Sequence, residues 1–366
     1  MTARRVVAFG GGHGLSASLR ALRHCAPELD LDITAVVTVG DDGGSSGRLR
    51  AERGGLPPGD LRQALVALAG DHPATRRSAG LFQHRFSAVP AGVPPLGEAD
   101  PAPAATDGRD PDPRDQDGDN QGTGATVPGA ERASTRADGL AGHAVGNLVL
   151  CGLMEMLGDP VAALEHAGAM LGTVGRVLPM SRQPVGIEAQ VRGVDPAAPD
   201  EVRTVRGQHQ VAVTTGRVES LRLTPSAPPA CAEVIEAIRA ADWLIFGPGS
   251  WYTSVLPHLL VPQLADAIVS TSARRLVTLN LAAEKETLGL SVADHLAALH
   301  WYLPELKVDL VLADAKAVGD PEPVERAAES LGARLVLAPV AVTGGTPRHD
   351  PAALGAALVP VLGADR

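Results

Sequence analysis

The sequence predicts an α/β protein: a mostly parallel sheet with helices on both faces, a small antiparallel β extension and a disordered acidic insertion. Three observations carry this. Short continuous apolar runs at residues 6–9, 33–38, 243–246, 276–279, 310–312 and 335–337 are separated by segments of helical period, the pattern of strands buried on both faces of a parallel sheet. Residues 172–229 instead show β-branched alternation broken by Gly and Pro, as in GRVLPM, PVGIEAQVRGV and HQVAVTTGRVESLRL, which suits antiparallel strands. Residues 88–139 hold no aromatic, Ile or Met and carry ten Asp/Glu against four Arg, a composition that cannot build a core. The expected organisation is one domain over 1–366, with the insertion at 88–139 and the extension at 172–229 inside it.

The first strand runs into Gly10, Gly11, Gly12, His13 and Gly14, and apolar residues at helical spacing resume from Ser16. Glycines bare the backbone, and a helix start offers unpaired N–H groups with partial positive charge, so this turn suits an anion such as phosphate. A glycine turn after a first strand also serves plain packing. The run is neither a Walker A loop, which ends in Gly-Lys-Ser/Thr, nor the strict dinucleotide spacing. The second strand leads into VTVGDDGGSSGRLR. There Asp41, Asp42, Ser45 and Ser46 can hold Mg²⁺ or sugar hydroxyls, and Arg48 can pair with phosphate. A capped turn is the plainer alternative, but the polar-glycine run is longer than an ordinary connection needs. In the following PPGDLR, Asp60 reads as a helix N-cap with Arg62 in the first turn; capping accounts for Asp60 and leaves Arg62 unexplained.

Two further loops repeat the pattern. In GHAVGNL, His143 is either structural or a ligand contact, and Asn147 can cap a helix or read a ligand amide. In FGPGSWYTS a strand enters a second glycine turn, with Gly247, Gly249, Ser250, Tyr252 and Thr253 at an expected helix N-terminus. Two anion-friendly turns at the carboxyl ends of parallel strands suit a phosphate or diphosphate lying across the sheet's edge.

Composition excludes several classes. Net charge over the 366 residues is −10, of which −6 belongs to the insertion, and no Lys/Arg cluster with interleaved aromatics is present; both argue against a nucleic-acid partner. Cys25, Cys151 and Cys231 are far apart and lack a CxxC pattern, so neither a disulfide framework nor a zinc site is expected. The apolar stretch after Arg4 and Arg5 ends at glycine within a few residues, too short for a signal peptide or a membrane helix. The expected location is the cytoplasm, without membrane insertion.

Taken in order, GGGHGLS, VTVGDDGGSSGRLR, PPGDLR, LFQHRF, GHAVGNL, GPGSWYTS and NLAAEKETLGLSVADH resemble the YvcK-type gluconeogenesis factors, relatives of the 2-phospho-L-lactate transferases in the CofD-like superfamily. The resemblance spans about residues 5–315 without the insertion. It implies a Rossmann-like fold, UDP-sugar binding, with UDP-N-acetylglucosamine as the expected ligand, and a role in cell-wall and cell-shape control on gluconeogenic carbon. Gly10, Gly11, Gly12, Gly14, Asp41, Asp42, Ser45, Ser46, Arg48, Asn147, Gly247, Gly249, Ser250, Tyr252 and Thr253 fall on its motif positions, and Asn280, Glu286 and Thr287 are retained. His13 stands where Thr is usual, His258 where Asn is usual, and the NLAAEKETLG stretch is shortened. A homo-oligomer and a protein partner in cell-wall synthesis are compatible with the resemblance.

Two function classes follow. One is a nucleotide-sugar-binding regulator without turnover; the other is a metal-dependent transferase acting on a nucleotide-linked phosphoester, with Mg²⁺ on Asp41 and Asp42 and no other cofactor. The regulator is preferred, because DDGGSSGRLR follows the YvcK pattern and no residue stands out as a nucleophile with its base. A nicotinamide dehydrogenase fits less well: Asp41 lies where a ribose-reading acid belongs, but the glycine spacing and the following GGSSGR do not match.

Overall fold

The computed structural model describes residues 3–88, 139–283, 285–287 and 290–364. Residues up to Arg85 and from His143 onward form one compact unit, and Phe86–Gly142 group as a second, small unit. The acidic insertion expected at 88–139 lies almost wholly outside the described residues.

Seven strands build the main sheet: β1 (Arg4–Gly10), β2 (Leu31–Val37), β3 (Arg176–Pro179), β7 (Trp243–Phe246), β8 (Arg274–Thr278), β9 (Leu310–Asp314) and β10 (Arg334–Ala338). All adjacent pairs are parallel, in the order β10-β9-β8-β7-β1-β2-β3. The apolar runs are strands because the sheet buries them on both faces. Residues 6–9 and 243–246 are fully enclosed, and Phe9 stacks on its register neighbour Phe246 with centroids 4.9 Å apart.

Helices α1 (Gly12–His24), α2 (Gly44–Arg53), α3 (Pro58–Ala67), α4 (Pro73–Gln83), α5 (Val145–Leu157) and α6 (Pro160–Leu171) lie between β1 and β3 in the chain. After the antiparallel segment with α7 (Gln208–Val213) come α8 (Ala232–Ala240), α9 (Leu256–Leu259), α10 (Pro262–Ser270), α11 (Val292–Tyr302), α12 (Ala315–Val318), α13 (Glu322–Ser330) and α14 (Pro351–Gly363). Right-handed crossovers send the helices that connect successive strands in the two halves to opposite faces, because strand order advances one way from β1 and the other way from β7; α14, which follows the last strand, returns to pack on α1. The packing divides accordingly: α1 meets α3 and α14, and α5 meets α6, whereas α8 meets α10 and α11 meets α13. The boundary between β1 and β7 is therefore the topological switch point, where α/β sheets open a crevice at their carboxyl ends.

The antiparallel extension is a three-stranded sheet, β5-β4-β6, made of β4 (Gly186–Arg192), β5 (Val202–Arg206) and β6 (Arg217–Thr224). Burial alternates along β4 and its inward residues join the core, as expected of a sheet with one wet face.

Four local expectations are corrected. GRVLPM is not part of the extension: it forms β3, the edge of the parallel sheet beside β2. HQVAV is the helix α7 and not a strand, since the positive φ of Gly207 (95°) turns the chain out of β5. Asp60 is not a helix cap, because α3 begins at Pro58 with Pro at its first position, where a missing N–H costs nothing. The GPGS loop leads not into an ordinary helix start but into a π-helical turn, Trp251–Val255, that feeds α9.

Candidate functional site

A cavity of about 920 Å³ opens at the β1/β7 switch point, within the size range of small-ligand sites. Its floor is the glycine turn. α1 starts at Gly12, so Gly12, His13 and Gly14 are its first turn, whose N–H groups have no partner inside the helix. The turn after β7 closes on them: a methyl group at Gly14 would overlap the Pro248 carbonyl, and one at Gly11 would lie 2.5 Å from Thr38 Oγ1. Glycine is required here by close approach. Asn280 fixes the β7 turn from the next strand. The Gly249 N–H donates to Asn280 Oδ1 at 2.8 Å, and Asn280 Nδ2 donates back to the Gly249 carbonyl at 2.9 Å. Glu286 completes it by accepting from Ser250 Oγ and from the Tyr252 N–H.

Arg20, Arg62, Arg85 and Arg348 line the cavity, and Asp60 is its one lining carboxylate among the described residues. Asp60 sits behind Gly11 and Gly12, accepting from Thr38 Oγ1 at 3.4 Å and from the Gly12 amide. Burial, followed by repulsion from Asp41, pushes its pKa up to about 7. Asp41 is raised too, again mainly by burial. His13, in the cavity wall, is held below the usual histidine range by burial and then by Arg348, Arg20 and Arg62, so its ring is neutral at pH 7.

Behind Arg62 lies a buried polar chain. Arg62 Nε donates to Asn147 Oδ1 at 2.8 Å, Asn147 Nδ2 donates to Ser45 Oγ at 2.9 Å, and Ser45 Oγ lies 3.0 Å from His143 Nδ1. Ser45 Oγ thus accepts from Asn147 and shares a hydrogen bond with His143, whose pKa is lowered mainly by burial. Arg62 also donates to Gln83. Arg62 is thus held from two sides, although burial lowers its own pKa to about 10.

The expected site residues divide into two groups. Gly11, Gly12, His13, Gly14, Asp60, Arg62, Gly249, Ser250, Thr253 and Asn280 line the cavity. Gly10, Asp41, Asp42, Ser45, Ser46, Arg48, His143, Asn147, Gly247 and Tyr252 do not; several of them support it from behind. Ser46 Oγ accepts the Gly59 N–H at 2.9 Å and Asp41 accepts the Gly43 N–H at 3.0 Å. Asp42 turns away from Asp41 and accepts the His209 N–H at 2.8 Å, anchoring α7. His258 is wholly buried, between the Val255 and Val36 carbonyls, and its pKa falls to about 4. Sequence reasoning missed Arg20, Gln83, Arg85, Gln208, Arg348 and His349, which also line the cavity. None belongs to a glycine run; only the fold assembles them.

Comparison with known proteins follows the same lines. The family model described as 2-phospho-L-lactate transferase CofD matches residues 6–336. A Mycobacterium tuberculosis protein named "Putative gluconeogenesis factor" is 45% identical over 98% of this chain and 91% of its own length. The chain belongs to the CofD family, in its gluconeogenesis-factor branch. Within that branch the gluconeogenesis factor of Bacillus subtilis is 32% identical over 91% of this chain and 84% of its own length. A crystal structure from Bacillus halodurans has the same fold, with a TM-score of 0.73 at 30% identity, covering 98% of this chain and 99% of that one. No helix among the described residues is long and apolar enough to cross a membrane.

Proposed function

We propose that this gluconeogenesis-factor relative is a cytoplasmic regulator that binds a UDP-sugar, of the UDP-N-acetylglucosamine type, and links gluconeogenic growth to cell-wall synthesis and cell shape. One observation carries the ligand class: the first turn of α1 and four arginines line the cavity at the switch point with a single carboxylate among the described residues. Helix-tip amides and guanidiniums are the groups that hold a diphosphate, and crevices at such switch points hold nucleotides in related architectures. The hydroxyls of Ser250 and Thr253 and the Gln208 amide, also in the wall, suit ribose or sugar hydroxyls.

A second reading, a metal-dependent transferase, is favoured by the matched family's description and by Asp60, whose pKa of about 7 is that of a working acid or base at neutral pH. Asp42 is committed to α7, so the carboxylates that would hold Mg²⁺ are Asp41 and Asp60. Two carboxylates plus ligand phosphate oxygens suit that ion; no group of three His, Cys, Asp or Glu suited to a metal occurs among the described residues. Bound Mg²⁺ would neutralise diphosphate charge, and Asp60 would release its proton on taking that ion.

Incubation with UDP-N-acetylglucosamine, and separately with a guanylyl-phospholactate donor plus deazaflavin, each with Mg²⁺, separates the readings. The regulator binds the first without product. Multiple-turnover product in either tube, lost in Asp60→Asn, would establish the transferase instead.

A further inference from the structure

The cavity is more basic than a nucleoside diphosphate joined to a neutral sugar requires. Such a diester has one negative charge on each phosphate, and the tip of α1 with Arg62, held by Asn147 and Gln83, already faces them. Arg20 and Arg348 are additional. Both line the cavity with His13 and are solvent-exposed, and neither has a carboxylate partner among the described residues. They come from different elements. Arg20 lies on α1 with its Cα about 10 Å up the axis from His13, at 1.5 Å per residue, and its side chain leans back toward the tip. Arg348 comes from the loop between β10 and α14, beyond the residues matched by the family model. The wall beside them on α1 is small, formed by Ser16 and Ala17, which leaves room for a ligand group alongside the helix.

We propose that Arg20 and Arg348 form a second anion subsite, so that the cavity also takes a nucleotide diphosphate joined to a sugar acid and holds it more tightly than the matching neutral hexose, its carboxylate on these two guanidiniums. This rests on the reading that the cavity takes a nucleotide-linked sugar. The carboxylate supplies the third negative charge, and guanidinium forks match its geometry.

Titration of the full chain with UDP-glucuronate and with UDP-glucose, which differ by a carboxylate against a hydroxymethyl group, tests this. At low ionic strength UDP-glucuronate binds about tenfold more tightly, the scale of one charge-assisted contact at a partly solvated site. The ratio falls toward one in Arg20→Gln and in Arg348→Gln, with unchanged melting as the check on folding. Should either variant melt early, the parent's own ratio must shrink as salt rises. Equal affinities in the parent, or a ratio that survives both substitutions and added salt, would overturn the subsite while leaving the nucleotide-sugar reading standing. Binding of neither ligand overturns both.

Discussion

Asp60 is the residue whose chemistry the cavity alters most. Its pKa of about 7 exceeds the unfolded value, so the folded state favours the proton. Stability from this group is therefore fully present below about pH 4, its unfolded pKa, and is lost as pH rises through about 7. The parent should lose a few kcal/mol between pH 5 and pH 8 from this group, seen as a falling melting temperature, and Asp60→Asn should flatten that slope. An anion in the cavity raises the pKa further, so diphosphate binding should tighten as pH falls from 8 to 6 in the parent and change less in Asp60→Asn. Asn147 offers a different test at the same scale. Asn147→Ala strands Arg62 Nε, costing about 1–3 kcal/mol for a buried group left unpaired, and should weaken nucleotide binding although Asn147 lies outside the cavity. Asn147→Asp, which keeps an acceptor for Arg62, should recover the stability more than the affinity, because it places a charge behind the phosphate contact.

Among the elements, two contacts decide the shape of the cavity. Gly14 packs against Pro248, so Gly14→Ala forces the α1 tip and the β7 turn apart. A cost of about 1–3 kcal/mol for overpacking should appear as a melting temperature lower by several degrees, with ligand binding lost. The other contact is Asp42 holding α7. Asp42→Ala should raise hydrogen exchange in residues 207–213 while the strands of the parallel sheet keep their protection. The sequence makes the parallel strands legible because burial on both faces writes them as unbroken apolar runs. It hides α7, whose Val211 and Val213 suggest strand propensity but whose conformation is set by contacts with Asp42 and the π-helical turn. It hides β3 as well: four residues, RVLP, are too few to show a period, and only pairing with β2 assigns them.

For the whole molecule, the site is where two halves of the sheet part, and that explains what sequence reading reached. The two glycine turns follow strands and so declare themselves, and their meeting at one crevice follows from strand order. DDGGSSGR reads as a ligand loop because it is polar and glycine-rich, yet its side chains mostly brace Gly59, α7 and Asn147. Arg20 and Arg348, far apart in sequence, come to line one cavity only in the folded chain. The central claim is that a nucleotide diphosphate lies on the first turn of α1. The most direct measurement is a crystal structure of the protein with UDP-N-acetylglucosamine. The account predicts diphosphate oxygens within about 3 Å of the His13 and Gly14 amides, with Arg62 on the same phosphates. A nucleotide bound elsewhere, or a diphosphate turned away from those amides, would contradict it.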